Sequence, residues 1–250
     1  MNPTGNTILI TGGTSGIGLE LAREFQALGN SVIIAGRRRQ LIDAAVAANP
    51  GMTGYVLDVA DPQAIEAFAA AVTAAHPALD MLINNAGIMK VEDLTGGPGY
   101  LADAEATIAT NLLGPIRLTA ALLPHFRTRP RSTIVNVSSG LAFVPLIATP
   151  TYNATKAALH SYSIALRHQL SDTTTEVIEL VPPSVQTDLM PGHAEDAHAL
   201  PLADFIAETM ALFQHQPTPP EICVERVKFL RDAEAEGRFE QTLALVNAGA

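Results

Sequence analysis

TILITGGTSGIGLELAREF, residues 7–25, reads as a short apolar strand, a cluster of glycines and an amphipathic helix. Ile8 to Ile10 form the strand, and Ile17, Leu21, Phe25 and Leu28 then recur at helical spacing. Between them, Gly12, Gly16 and Gly18 have the spacing Gly-x3-Gly-x-Gly. Residues without Cβ let the backbone turn sharply and approach a bound group closely. A helix that starts there offers free N–H groups and its positive dipole end to an anion such as a pyrophosphate. An ordinary tight turn also uses glycines; the position between strand and helix is what points to phosphate.

The same alternation continues outward. Val32 to Ala35 precede a helix around 39–48, Tyr55 to Leu57 precede one around 62–75, and Met81 to Ile83 run into Asn84. Ile134 to Val137 and Val177 to Val181 are further strand candidates, each after a long helical stretch. Strands this short and apolar are covered on both faces, which is the mark of a parallel sheet. The expectation is an α/β fold: a single Rossmann-type doubly wound parallel sheet of six or seven strands with helices on both faces, in one domain over 1–250. A Pro- and His-containing surface excursion over 191–204 suggests a lid around 188–213. From about 217 the pattern predicts helix, with Ile222, Val227 and Leu230 on one stripe and Phe239, Leu243 and Val246 on another near the end. Helices 104–126 and 152–170 are apolar nearly all round. The first should kink at Gly114 and Pro115. Both call for a second covering surface, hence a homodimer or homotetramer.

With 250 residues, 48% hydrophobic and 16% charged, the chain is long and apolar enough for a substantial core and is not a disordered protein. A net charge of −10 argues against nucleic acid and anionic membranes as partners. The single cysteine, Cys223, excludes an internal disulfide framework and a Cys-based zinc site, and the seven histidines show no metal-ligand spacing, so no metal is expected. No apolar run reaches the ~18 residues of a membrane span, and the first residues lack the basic, apolar pattern of a signal peptide. The expected location is the cytoplasm.

Candidate catalytic chemistry lies in the second half. Tyr152 and Lys156 are four apart and share a helix face. A free phenol titrates near ~10, and an adjacent ammonium favours the phenolate, so the pair predicts a tyrosine made acidic enough for acid–base work. Ser139 follows the fifth strand at its carboxyl end, where open α/β sheets bind ligands. Asn111 is a polar amide inside an apolar helix and needs a partner.

TGGTSGIG (11–18), NNAG (84–87), Asn111, VSSG (137–140), YNATK (152–156) and PPSVQT (182–187) together resemble the short-chain dehydrogenase/reductase family, in its order and over about three-quarters of the chain. GLAF (140–143) with PPSV (182–185) resembles a bacterial DltE-like subgroup of oxidoreductases within it. The resemblance implies a nicotinamide-dependent carbonyl reductase or alcohol dehydrogenase. Tyr152 would be the general acid/base and Ser139 would hold the substrate oxygen. Lys156 would bind the nicotinamide ribose and tune the phenol, and Asn111 would support a water in a proton relay. Thr14, Ser15, Gly16 and Ile17 would wrap the pyrophosphate with Gly12 and Gly18. Asp58 and Val59 would meet the adenine, Asn84, Asn85, Ala86 and Gly87 the adenine-ribose side. Pro182, Val185 and Thr187 would hold the carboxamide, with Pro183 in the place of the family's usual glycine.

After the second strand stand Gly36, then Arg37, Arg38 and Arg39. An NAD-selective site places an acid here, whereas guanidinium groups clamp a 2′-phosphate, so NADP(H) is expected over NAD(H). A solvated basic start to the next helix is the plainer alternative. The small-molecule substrate is expected to be apolar, against Leu141, Phe143, Val144, Leu146 and Ile147 on one side and Leu189, Met190, Phe205 and Met210 on the other. An NADP-binding scaffold or redox sensor with little turnover is the alternative function; it would not need Ser139, Tyr152 and Lys156 together.

Overall fold

The computed structural model describes residues 1–248. Strands β1 (Thr7–Thr11), β2 (Ser31–Gly36), β3 (Thr53–Val56), β4 (Leu79–Asn84), β5 (Ser132–Val137), β6 (Thr175–Val181) and β7 (Glu221–Cys223) form one parallel sheet in the order β3-β2-β1-β4-β5-β6-β7. The helices are α1 (Gly16–Ala27), α2 (Arg39–Ala48), α3 (Pro62–Ala75), α4 (Leu101–Ile108), α5 (Gly114–Phe126), α6 (Pro150–Gln169), α7 (Leu202–Gln214), α8 (Glu225–Arg231) and α9 (Phe239–Val246). The strand order reverses between β1 and β4, so the connections leave in opposite directions there. A crevice opens at the carboxyl ends of these strands, where doubly wound sheets bind ligands.

Period-two alternation sorts the strand side chains into two cores. Ile8 and Ile10 point to one face, with Leu21 and Phe25 of α1 and Phe205 and Phe213 of α7. Leu9, Ile33, Leu82 and Ile134 point to the other, with Phe68 of α3, Leu118, Leu122 and Phe126 of α5, and Leu166 of α6. The rings of Phe25 and Phe213 lie 5.7 Å apart in the first core. Helix starts are chemically marked: Asp61 caps α3 by accepting from the N–H groups of Gln63 and Ala64, and Pro62 takes the first helical position.

Three expectations need correction. The stretch after 217 is not all helix: Ile222 sits fully buried in the edge strand β7, which is too short for a period-two pattern to show. The lid does not extend to 213, because from Leu202 the chain is α7, whose Phe205, Ile206, Met210 and Phe213 are buried in the core. The kink in the apolar run comes as a π-helical turn, Ala109–Leu113, directly before Gly114. The run Pro98–Phe126 has a mean hydropathy of 1.3 in its most apolar window, enough by length and composition for a membrane span. Here it stacks on the sheet, with α5 against α3 and α4 against α6.

Candidate active site

A cavity of about 1530 Å³ runs along the carboxyl ends of the strands. Its phosphate end is built by the β1–α1 turn. Gly12 has φ +66°, and a Cβ there would lie 2.9 Å from the Ala86 Cα. Gly18 does not line the cavity; a Cβ on it would lie 2.4 Å from both the Gly12 carbonyl oxygen and Asn85 Nδ2, so this glycine lets α1 close on the strand. Asn85 ties the two turns together, donating through Nδ2 to the Thr11 oxygen (3.0 Å), while Thr11 Oγ1 accepts from the N–H groups of Asn85 and Ala86. Ser15 occupies the N-cap of α1 but makes no capping hydrogen bond with its side chain. The first-turn N–H groups are therefore left to whatever occupies the cavity. Thr14, Ser15, Gly16 and Ile17 line it.

Arg37 and Arg38 line the next section and form no ion pair among the described residues. Asp58 and Val59 also line the cavity, and Asp58 Oδ1 accepts from the Ala60 N–H at 3.0 Å, a turn-forming contact. Asn85, Ala86 and Gly87 border the middle. Asn84 is withdrawn into the protein, donating to Asn136 Oδ1 at 2.9 Å. Pro182, Pro183, Val185 and Thr187 line the far side, and the Leu200 backbone pins that loop by bonding to Ser184 and Gln186. A glycine cradle, an uncapped helix N-terminus and two unpaired guanidinium groups along one crevice fit a phosphorylated dinucleotide.

Ser139, Tyr152 and Lys156 meet on one wall of this cavity. Ser139 Oγ accepts from the Leu141 N–H (3.1 Å), which fixes the hydroxyl at the end of β5. Lys156 is 4% exposed, donates to the Val137 oxygen at 2.8 Å, and lies 5.5 Å from the centre of the Tyr152 ring. Burial pushes the Tyr152 phenol up to about 12, and the Ser139 hydroxyl opposes that rise. Burial brings the Lys156 ammonium down to about 8, and the charge of Glu179 opposes the fall. In the protein alone, desolvation of this 6% exposed tyrosine outweighs the Ser139 hydrogen bond.

Asn111 does not line the cavity. It sits in the π-turn, fully buried; its Oδ1 accepts from the Ile88 N–H (2.9 Å) and its Nδ2 donates to the Ile88 oxygen (2.8 Å). The side chain therefore fixes the turn after β4, and a Cβ on Gly87 would come within 3.8 Å of Lys156 Nζ.

Leu141, Leu146, Leu189 and Met190 line the substrate end. Phe143 does not: its ring packs edge-on against His160 at 4.7 Å, under Arg231. Val144 is core and Ile147 faces solvent. The sequence reading missed Phe229, Leu230 and Val246, which helices α8 and α9 bring to the cavity, because a distant helix reaching a pocket leaves no local pattern. His193, from the excursion over 191–204, also lines the cavity, with Nε2 2.9 Å from Ser184 Oγ and Nδ1 buried without a partner among the described residues.

The sequence profile of the short chain dehydrogenases matches residues 6–198. An uncharacterized oxidoreductase, DltE, of Bacillus subtilis (strain 168) is 43% identical over 96% of this chain and 98% of its own. Among solved structures, a short-chain dehydrogenase from Streptomyces avermitilis superposes with a TM-score of 0.81 at 28% identity, over 98% of this chain and 97% of its own. The closed form of a serine dehydrogenase complexed with NADP+ gives 0.76 at 28% identity, over 86% and 92%. With the profile covering most of its length and a full-length relative at that identity, this chain belongs to the short chain dehydrogenase family of oxidoreductases.

Proposed function

We propose that this oxidoreductase uses NADP(H) to interconvert an apolar ketone or aldehyde and its alcohol, with Tyr152 as general acid/base. The observation that carries the reading is the meeting of Ser139, Tyr152 and Lys156 on the wall of a cavity whose other end holds a glycine cradle and two unpaired arginines. A serine dehydrogenase of the same fold, solved with NADP+, supports the cofactor choice.

When bound, the nicotinamide supplies the hydride that reaches the carbonyl carbon. The Ser139 hydroxyl, oriented by the Leu141 N–H, donates to the substrate oxygen. Tyr152, held protonated by burial, gives its proton to that oxygen as negative charge develops there. Lys156, fixed to the Val137 oxygen, places positive charge beside the phenol and favours the phenolate left behind. Asn111 acts from behind by holding the Ile88 backbone next to Gly87. Leu141, Leu189, Met190 and Phe229 exclude water and favour an apolar substituent.

The outer side of α6 exposes Ala154, Ala157, Ser161 and Ile164. Small residues there suit a flat contact with a second copy, which supports a homodimer.

Tyr152→Phe tests the mechanism. A general acid contributes roughly 10²–10⁴-fold, so kcat for carbonyl reduction should fall by that factor while NADPH affinity, read by fluorescence titration, stays within about threefold. Turnover retained in the variant overturns the role of Tyr152. NADPH binding without oxidation by any carbonyl in the wild type favours the scaffold or sensor instead.

A further inference from the structure

Beneath the catalytic wall the sheet carries a row of polar side chains that the mechanism above does not use. Strand register sets Asn84 opposite Asn136, Asn136 opposite Glu179, and Glu179 opposite Glu221. Two carboxylates directly opposite on adjacent strands repel. Glu179 is also fully buried, and an ion taken from water costs several kcal/mol unless it is paired and hydrogen-bonded. Both conditions are met. The Ser138 hydroxyl donates to Glu179 Oε1, and His160 Nδ1 lies 2.7 Å from Oε2. Arg231 holds Glu221 through two bonds of 2.8 and 3.3 Å. The ligand atoms of His160, Glu179 and Glu221 lie within 4.8 Å of one another, but Arg231 already supplies positive charge at the Glu221 oxygens.

The location of this cluster gives it a target. Tyr152, Lys156 and His160 follow one another at four-residue intervals on one face of α6. Lys156 Nζ bonds to the Val137 oxygen, and the next residue, Ser138, bonds to Glu179. A hydrophobic strand interior has no need of a carboxylate at this position; a buried ammonium one helical turn from its His160 partner does.

We infer that Glu179 is a positioning residue for the catalytic group: its carboxylate, gripped by Ser138 and His160, is the fixed countercharge that keeps Lys156 protonated beside Tyr152. The inference rests on the hydride-transfer reading of the site. Burial drives the Lys156 ammonium down to about 8, and Glu179 opposes that fall. The hydrogen bond to Glu179 raises the His160 imidazolium, burial opposes it, Glu221 adds to the rise and Arg231 counters it. The remaining charged or titratable neighbours act on the outer carboxylate: Arg167 of α6 on Glu221, and Cys223 of β7 and Asp232 after α8 around Arg231. The sign is consistent. As pH rises through the His160 titration its positive charge leaves, and the full negative charge of Glu179 then faces Lys156 just where the amine would otherwise lose its proton.

Glu179→Gln tests this with little change of shape, since the amide still accepts from Ser138 and can donate to His160. The midpoint of the Lys156 Nζ titration, followed by 15N NMR, should fall by about one pH unit. The alkaline limb of the kcat profile for carbonyl reduction should move down with it. Glu179→Asp, which keeps the charge, should hold the midpoint near the wild-type value. A Glu179→Gln midpoint that coincides with the wild type overturns the inference, because a purely structural carboxylate would leave it there. Should that variant not fold, His160→Gln serves: the carboxylate charge remains, so the midpoint stays or rises, and a fall overturns the inference. The NMR arm stands apart from turnover. A shifted amine in a protein that reduces no carbonyl refutes the oxidation–reduction reading and leaves the countercharge intact.

Discussion

Arg37→Ala is the sharpest test of the cofactor assignment. Arg37 and Arg38 stand just after β2 on the cavity wall, exposed, with no carboxylate holding either of them among the described residues. A hydrogen bond between a guanidinium and a phosphate contributes about 1.5–3 kcal/mol. At about 1.4 kcal/mol per tenfold, that spans roughly 10- to 150-fold in affinity. Exposure and salt screening place Arg37 toward the low end, and Arg38 remains to share the phosphate. The expected loss in kcat/KM for NADPH is therefore about tenfold, while kcat/KM for NADH, which has no 2′-phosphate to lose, changes by less than about threefold. Removing Arg38 as well should deepen the NADPH loss and leave NADH alone. The assay is one carbonyl substrate with both cofactors at matched ionic strength, read at the nicotinamide absorbance band. A wild type that prefers NADH, or a variant that loses both cofactors equally, refutes the assignment.

Two further outcomes follow from packing. Gly18→Ala places a Cβ 2.4 Å from the Gly12 carbonyl oxygen, a backbone atom that cannot swing aside; a loss of about 1–3 kcal/mol in urea unfolding and weaker NADPH binding by fluorescence are expected, and an unchanged pair of values would show that the turn has slack. Ile164→Asp introduces a charge on the exposed side of α6; light scattering should show the wild type as a dimer and the variant as a monomer, and a monomeric wild type removes the contact.

Legibility tracked locality. The glycine turn, the arginines after β2 and the Tyr152–Lys156 spacing are readable because each is a run of neighbours doing one thing. β7 was not, because three residues carry no period and the strand exists only through its pairing with β6, which sets Ile222 against Leu180. Phe205 and Met210 look like pocket residues in a loop-rich region, yet α7 folds them against α1, a tertiary choice invisible in the segment itself. Phe143 lies three residues from Leu146, which does line the cavity, and a single turn after Ser139 rotates Phe143 away toward His160. Glu179 reads as an oddity within an apolar strand; its meaning needs register, since only pairing places it below Ser138 and beside Glu221.

The division of labour along the chain bears on substrate choice. The match to the family profile ends at residue 198, after every residue of the cradle, the arginine pair and the Ser139–Tyr152–Lys156 wall. On the function proposed above, the residues for cofactor handling and proton transfer therefore lie in the shared part. The substrate wall is not, because Phe229 and Leu230 come from α8 and Val246 from α9. Asn247, next after α9, accepts from the Ile147 N–H at 2.7 Å and donates to the Pro145 oxygen at 3.1 Å, which staples the chain end to the loop that carries Leu141 and Leu146. One side chain thus sets the distance between two walls of the substrate end. On the function proposed above, specificity follows in part from how the last two helices are clamped to that loop, and chemistry from residues that lie before them.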